Sequence, residues 1–401
     1  MVVAPDSAHV HRLRWLAFST FVIASVLNYL DRFLLNQLAP LILADLHFNK
    51  TAFGWLLSFT AVLYAFASLI AGGLLDRWGV NRVMSFAVAW WSLAGIATGL
   101  ARSLPGLYWT RGLLAIGESA GIPAVSKVNG LYLKPEERAL GTALNGIGLS
   151  IGLAATPGFV AMAAGASWRK PFFFTGIISL FWIPLWLAVS RRIPGAVPDK
   201  APRRDGSFRF DGNLWLLVLA NVLWMGAYSL WSNWITFYLM GVYKLTLPQS
   251  ARYSWIPLFV SNIGGIFGGW LSLRWIRAGS RPVSARKRAV WWSALLSFVA
   301  LALPAVHAPG WGTVLISASF FFALAGSVNI YALAIDLYGA AQAGTAVAAM
   351  TCAYGLLQAA ISPLIGSLAD RGLYQEPVVL VTIALLLSAT VLTRLKEDLG
   401  R

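Results

Sequence analysis

Charged residues are scarce in this chain. Only 11% of its 401 residues are charged and 58% are hydrophobic, whereas soluble domains carry about 25% charged residues. A chain of this size with so few charges cannot cover a water-facing surface. The composition therefore excludes a soluble enzyme and a disordered protein.

Cysteine and histidine are also scarce. The single cysteine, Cys352, lies in an apolar run and cannot form an intrachain disulfide. The four histidines fall in the N-terminal tail or near predicted helix ends, which argues against a histidine proton relay. No Cys/His cluster has metal-ligand spacing, and the sequence contains no HExxH or GxSxG pattern. We expect no metal, no cofactor and no enzymatic activity.

Long apolar runs are abundant instead. A bilayer core of about 30 Å requires about 20 apolar residues per helix. Twelve such runs cover residues 13–40, 51–75, 82–101, 105–130, 139–165, 171–190, 213–240, 249–276, 288–306, 311–335, 341–368 and 375–394. The sequence therefore predicts an all-α integral membrane protein with twelve transmembrane helices.

The net charge of +16 is explained by topology. If both termini lie on one side, the tails and the even-numbered loops hold 22 of the 31 Lys and Arg residues, and the opposite face holds seven. Positive charge concentrates on the cytoplasmic side of membrane proteins. We therefore expect cytoplasmic termini, a bacterial inner membrane location and no nucleic-acid partner.

The predicted helices divide into two groups of six. Residues 191–212 hold three prolines and nine charged residues, and we interpret them as a cytoplasmic linker between bundles 1–190 and 213–401. Short matches relate the halves: Gly72–Trp78 resembles Gly268–Trp275, and Gly141–Leu144 resembles Gly344–Val347. Parallel six-helix repeats are typical of transporters, whose substrate site lies near the membrane midplane.

Several motifs resemble a known family. Gly72–Arg82, with the pattern Gly-x3-Asp-Arg-x-Gly-x-Asn-Arg, is similar to the major facilitator signature between helices two and three. Further stretches resemble its anion:cation symporter branch, which includes hexuronate, sialic-acid and vesicular glutamate carriers. These stretches are Asn28–Arg32, Arg111–Pro123, Gly268–Ser272 with Ala285–Lys287, and Asn329–Asp336.

The resemblance implies two pseudo-symmetric six-helix bundles and proton-coupled import of a small organic anion by alternating access. A sugar acid such as a hexuronate or an aldonate is the leading substrate. Two departures leave the exact substrate open. Trp234 is followed by Ile235-Thr236 where the family often has Trp-x-Pro, and Leu149 stands where some members carry Gln.

Four charges of the N-terminal half fall mid-membrane, away from the ends of the predicted spans: Asp31, Arg32, Arg111 and Glu118. A charge at the membrane centre costs about 2.5–3.5 kcal/mol or more unless it is paired or hydrated. Arg presents a planar fork that matches a carboxylate, so we predict Arg32 as the substrate contact. The resemblance implies that Asp31 and Glu118 carry protons, and Arg111 would then tune Glu118. The alternative is a salt-bridge cluster that only locks the bundle.

Neutral residues would shape the substrate cavity. Tyr29 and Tyr64 match family positions that resemble substrate hydroxyl contacts, and Asn145, Asn329 and Trp234 are further candidates. Tyr228 and Asn233 are weaker candidates, and each of these side chains has helix packing as its alternative role.

Charges at the ends of spans two and three suggest a conformational latch rather than a substrate site. They are Asp76, Arg77 and Arg82. In the second half, Ser272 and Leu273 stand where the Asp would be, so we expect a weaker latch there. The partners that we expect are the anionic substrate, protons and the lipid bilayer, and we expect a monomer.

Other functions remain open at this level. An exporter or exchanger of a drug or another anion is one alternative on the same fold, although Arg32 and Arg111 argue against a drug exporter. An intramembrane enzyme or a sensor is less favoured, because the duplicated layout is typical of transport and the tails are too short for an output domain.

Overall fold

The computed structural model describes residues 8–133, 137–164, 167–192 and 211–396, apart from a few side chains within helices (8, 69, 76, 126, 138–140, 142, 143, 147, 149, 164 and 339–345). The regular elements of these residues are all helical. They are α1 (Ala8–Leu46), α2 (Lys50–Trp78), α3 (Val80–Leu100), α4 (Leu104–Glu118), α5 (Gly121–Tyr132), α6 (Arg138–Ala164), α7 (Arg169–Ser190), α8 (Gly212–Tyr243), α9 (Leu247–Arg277), α10 (Pro282–Ser297), a 3₁₀ segment (Phe298–Ala305), α11 (Pro309–Asp370) and α12 (Gln375–Thr393).

Within the described residues, eleven helical segments are long and apolar enough to cross a membrane. Helices satisfy every backbone hydrogen bond internally, which is what the hydrocarbon core requires. The all-α membrane class predicted from the sequence is therefore confirmed. The main differences from the twelve predicted spans concern span 105–130 and the pair 311–335 and 341–368.

The predicted span 105–130 is divided into α4 and α5. The division falls at Ser119 and Ala120, four and three residues before Pro123. Proline lacks the N–H that would bond the carbonyl of Ser119, so the regular helical ladder is interrupted there. Neither piece alone reaches the length of a span.

The predicted spans 311–335 and 341–368 both lie in α11. Two apolar spans, Pro309–Tyr338 and Ala346–Asp370, are found within it. The sequence between them contains Gly339 and Gly344 but neither Pro nor a charged residue.

The turn between α2 and α3 explains one glycine of the signature. Gly79 has a φ of +78°, a left-handed conformation that residues with a Cβ rarely adopt. Gly79 therefore allows the chain to reverse between Trp78 and Val80 with a single intervening residue.

The chain divides into two compact units. The first contains Met1–Leu46 and Phe59–Ala201, and the second contains His47–Ser58 and Pro202–Arg401. Most of the predicted linker, residues 193–210, lies outside the described residues. The first turns of α2 thus group with the second unit, whereas the rest of that helix groups with the first.

Each unit has its own core. In the first unit, the indoles of Trp182 and Trp186 stack with ring centroids 5.4 Å apart, and Phe21 packs edge-on against both. In the second unit, α9 approaches α11 so closely that a Cβ at Gly264 or Gly268 would collide with the backbone of α11. Small residues permit this kind of close helix packing in membranes.

Candidate functional site

An ion pair joins α1 to α4 within the first unit. Arg32 Nε donates to Glu118 Oε2 at 2.7 Å. The Glu118 side chain is 2% exposed, whereas the Arg32 side chain is 31% exposed. The pair therefore has a buried acidic end and an accessible basic end.

Two tyrosines surround the basic end. The Arg32 guanidinium carbon lies 4.3 Å from the ring centroid of Tyr64 and 5.7 Å from that of Tyr29. Aromatic faces attract a cation at these distances. Three residues predicted to contact substrate are thus brought together by α1 and α2.

The other two charges lie behind this pair. Asp31 is fully buried and Arg111 is 4% exposed, and each lies within electrostatic range of the other and of Glu118. Neither oxygen of Asp31 accepts a well-formed hydrogen bond from a described residue, and neither Nε nor one terminal nitrogen of Arg111 donates one. All four predicted in-span charges therefore form one cluster that sums to zero.

Helical geometry explains why Asp31 and Arg32, which are adjacent in the sequence, differ in exposure. Consecutive residues point about 100° apart around a helix axis. Asp31 therefore points into the unit while Arg32 points toward its accessible side. Adjacency on one helix accounts for this division but assigns no partner, and the direct partner of Glu118 proves to be Arg32.

The hydroxyl of Thr175 lies beside Asp31 and was not predicted. Thr175 is 1% exposed and donates only a long hydrogen bond, 3.4 Å, to the carbonyl of Phe172. Its position on α7 carries no motif, so only the packing of α7 against α1 reveals it.

Asn145 lies at a cavity of about 190 Å³ inside the first unit, which Tyr29 also lines. Its Oδ1 has no hydrogen-bond partner among the described residues. Asn145 is thereby placed near the charge cluster, and its role in substrate binding stays a prediction.

The two remaining substrate candidates lie in the second unit. Trp234 is 2% exposed and packs edge-on against Phe53, with ring centroids 5.8 Å apart. Asn329 is fully buried, and its Nδ2 donates to the carbonyls of Gly268 at 3.0 Å and Ala325 at 2.8 Å. The amide of Asn329 is thus engaged in joining α9 to α11.

An arginine from α10 completes this contact. One terminal nitrogen of Arg286 donates to Ser272 Oγ at 2.7 Å and to Asn329 Oδ1 at 3.3 Å, and Nε donates to Asp336 Oδ2 at 3.3 Å. The acid that the second-half motif lacks at Ser272 is supplied by Asp336 on α11. This polar contact is an arrangement that the motif alone did not indicate.

The predicted latch residues lie where α2 meets α3. Arg77 and Arg82 are exposed, and the side chain of Asp76 lies outside the described residues. Near the end of α2, the backbone carbonyl of Leu75 accepts a hydrogen bond of 2.7 Å from Nζ of Lys127, which lies on α5. The latch function of the three residues stays a prediction.

A family model decides the classification of the chain. The model of the Major Facilitator Superfamily matches residues 21–359. The chain belongs to this superfamily. The superfamily predicted from the motifs is therefore confirmed, and this major facilitator is a transport protein rather than an enzyme.

Several curated relatives of this major facilitator are bacterial transporters. It is 25% identical to the hexuronate transporter of Escherichia coli K12 over 383 residues, covering 89% of this chain and 88% of that protein. It is 26% identical to the galacturonate transporter of Dickeya chrysanthemi over 282 residues, covering 65% of this chain and 82% of that protein.

Solved structures share the fold. A bacterial homologue of the human lysosomal transporter Spinster, in an inward-facing and occupied conformation, aligns with a TM-score of 0.76 at 17% identity over 98% of this chain and 97% of that one. The nucleoside transporter NupG aligns with a TM-score of 0.73 at 12% identity over 95% and 99%. These identities are low, so the two structures support the fold and nothing further.

Proposed function

We propose that this major facilitator is a proton-coupled symporter that imports a sugar acid, a hexuronate or an aldonate, by alternating access. The observation that carries the proposal is the Arg32–Glu118 ion pair, in which a carboxylate already occupies the group best suited to bind the substrate carboxylate. The names of the hexuronate and galacturonate transporters among the relatives support the substrate class.

The ion pair suggests how the two ligands are coupled. A substrate carboxylate competes with Glu118 for Arg32, and charge-assisted hydrogen bonds of this kind are among the strongest in proteins. Protonation of Glu118 removes the competing charge and releases Arg32 for the substrate. Proton binding and anion binding therefore favour each other, which is the requirement for symport.

Asp31 and Arg111 complete the charge balance. When Glu118 is protonated and the anion binds Arg32, the cluster keeps its net charge of zero, because one negative charge replaces another. Asp31 is a second proton carrier that Arg111 and Thr175 hold in place. Arg111 also lies within range of Glu118 and stabilises its charged form when the substrate leaves.

The residues beside Arg32 set the specificity for the rest of the substrate. Tyr29, Tyr64 and Asn145 offer hydroxyl and amide groups to the hydroxyls of a sugar acid. An exchanger or exporter of another organic anion is the alternative on this fold. A drug exporter is disfavoured because an accessible arginine binds an anion better than a lipophilic cation.

Orientation and cellular location follow from the charge distribution. With 22 of 31 basic residues on the face of the termini, both termini are cytoplasmic by the positive-inside rule, and the membrane is the bacterial inner membrane. The chain functions as a monomer. Asp76, Arg77 and Arg82 act on that face as a latch between conformations.

Uptake into proteoliposomes tests the proposal. The purified protein is reconstituted, and accumulation of radiolabelled glucuronate, galacturonate and galactonate is measured with an inward proton gradient, without a gradient, and with a protonophore. Gradient-dependent accumulation of at least one sugar acid is expected. Equal uptake under all three conditions would exclude symport, and uptake of none would exclude the substrate class.

A further inference from the structure

A cavity of about 190 Å³ lies among α1, α3, α5 and α6 of the first unit. None of the described residues that line it carries a charge. They include Ser25, Asn28, Trp91, Gly121 and Asn145. At about 30 Å³ for each water molecule, the cavity has room for roughly six.

Three polar atoms at this cavity lack protein partners. Asn28 Nδ2 and Trp91 Nε1 are donors and Asn145 Oδ1 is an acceptor, and none has a hydrogen-bond partner among the described residues. Asn28 is 4% exposed and Trp91 is fully buried. A buried polar group without a partner costs about 1–3 kcal/mol, so groups of this kind are normally satisfied by a ligand or by ordered water.

The cavity begins beside the charge cluster. Asn28 precedes Asp31 by three residues on α1, and Gly121 follows Glu118 by three residues, so each lies about one helical turn from a carboxylate. The lining continues along α1 to Phe21, about 10 Å further from Asp31. The polar atoms thus lie on the side of the cluster that leads toward the N-terminal end of α1.

We propose that this cavity holds a chain of hydrogen-bonded water molecules that carries protons between the Asp31–Glu118 cluster and the membrane face of the N-terminus. Asn28 and Trp91 bind the waters and keep them in line. The inference rests on the proton coupling proposed above and adds a route to it through this cavity.

Proton movement along such a chain is balanced at every step. The carboxylic acid of Glu118 gives its proton to the first water, which becomes hydronium and passes a proton to the next. Each donor returns to neutral water, the carboxylate remains behind, and one proton emerges at the far end. A proton that enters from the far end follows the same steps in reverse.

The chemistry of the lining favours a neutral hydroxyl ligand over an anion. Two N–H donors and one carbonyl acceptor match water or an alcohol, whereas a carboxylate in the cavity would find no cation among the lining residues. Water and the hydroxyl groups of the substrate share this chemistry. The experiment must therefore distinguish bound water from a bound substrate hydroxyl group.

The transport test uses three variants in proteoliposomes. Asn28→Leu keeps the volume but cannot bind water, Asn28→Ser places a hydroxyl where the amide was, and Trp91→Phe removes the N–H donor together with one ring of the indole. We expect Asn28→Leu to slow gradient-driven accumulation by about tenfold or more, because a lost ordered water that nothing replaces breaks the chain. Counterflow, which needs no net proton movement, should stay within about twofold of wild type, and Asn28→Ser should recover most of the rate.

Trp90→Phe is the matched control. The indole of Trp90 donates to the carbonyl of Leu113 at 2.7 Å and does not line the cavity, so this variant should transport like wild type. If Asn28→Leu accumulates substrate at the wild-type rate, the water chain is refuted. If it raises the counterflow KM for some epimers and not others, Asn28 binds substrate hydroxyls rather than water, and the proposal is also overturned. Wild-type transport without proton dependence would instead refute the proposed function.

Radiolytic hydroxyl labelling tests hydration directly and does not depend on the folding of a variant. Bound water next to a buried side chain is radiolysed in place, so Met84 and Trp91, at 1% and 0% exposure, should be oxidised in the wild-type protein. Trp224, at 1% exposure and outside the cavity, has its indole N–H bonded to the carbonyl of Ala323 and should not be oxidised. Equal protection of Met84, Trp91 and Trp224 would show that the cavity is dry and would refute the proposal.

Discussion

Replacement of Glu118 by Gln separates proton coupling from substrate binding. The carboxamide has nearly the same shape as the carboxylate, and its oxygen can still accept the hydrogen bond that Arg32 Nε donates at 2.7 Å. The variant therefore keeps the packing of α4 against α1 while removing the negative charge. It also removes the site at which a proton would bind.

The size of the effect follows from the hydrogen bond. Hydrogen bonds to charged groups contribute about 1.5–3 kcal/mol and neutral ones about 0.5–1.5 kcal/mol. The substrate therefore competes with a bond that is weaker by about 1–1.5 kcal/mol. At pH values where Glu118 of the wild type is charged, the variant should bind a sugar acid roughly five- to tenfold more tightly.

The pH dependence has a defined sign. If the wild type takes up one proton with each substrate, its affinity falls as the pH rises, by up to about tenfold per pH unit. The Glu118→Gln variant has no proton to take up at this position. Its affinity should therefore vary less steeply with pH, with any remaining slope coming from Asp31.

Two proteoliposome assays measure the consequences. Accumulation driven by a pH gradient should be lost, while counterflow of labelled substrate should continue. Glu376→Gln, an exposed acid in the first turn of α12, is the matched control and should behave like wild type. Full accumulation by Glu118→Gln would refute the proton role of Glu118. A folded variant that neither accumulates nor exchanges would instead support a cluster that only locks the bundle.

Three further predictions concern other residues. Arg32→Lys keeps the charge but loses the planar fork, so the KM for a sugar acid should rise about tenfold; the same change at exposed Arg252 should leave the KM unaltered. Asn329→Leu should lower stability by about 1–3 kcal/mol in detergent unfolding, because it removes the two hydrogen bonds that the amide donates to buried carbonyls; a folded variant with only a raised KM would restore its predicted substrate role. Asp370→Ala removes the carboxylate that caps Lys50 and Thr51 at the start of α2, so the free energy of unfolding should fall by about 1 kcal/mol and the amides of these two residues should exchange faster with deuterium; unchanged exchange would contradict this capping role.

Much of the fold was predictable because one physical requirement dominates it. A helix that crosses the membrane needs a long apolar run, and such runs are visible without any tertiary information. The run 213–240, for example, lies within Gly212–Tyr243, and 171–190 lies within Arg169–Ser190. Composition alone therefore located most of the helices.

The misplaced boundaries have local causes that hydropathy does not report. Pro123 divides the fourth span, because a missing N–H affects the helix without making the run less apolar. Between the two spans of α11 the mismatch is the opposite one. The connection of small residues is less apolar, so hydropathy marks a boundary there, but these residues remain helical. Hydropathy measures the preference of side chains for lipid, whereas helix ends depend on backbone hydrogen bonds.

The sequence predicted which charged residues belong to the site, but it did not predict which of them are in contact. The cost of a charge in the membrane singled out the four residues of the cluster, because few other features justify that cost. The pairing of Arg32 with Glu118 depends on the rotation of α1 against α4, which no periodicity specifies. For the same reason, Thr175 escaped notice, and Asn329 had a substrate role predicted for it although its amide joins two helices.

Exposure divides the cluster in a way that bears on coupling. Arg32 alone among the four charges has an accessible side chain, while Asp31, Arg111 and Glu118 are at most 4% exposed. In the proposed mechanism an incoming anion meets Arg32 first, and a proton reaches Glu118 through the cavity that ends about one helical turn from it. If both ligands used one route, a bound anion would block the proton that has to enter or leave with it. A second route to the same ion pair would avoid this conflict.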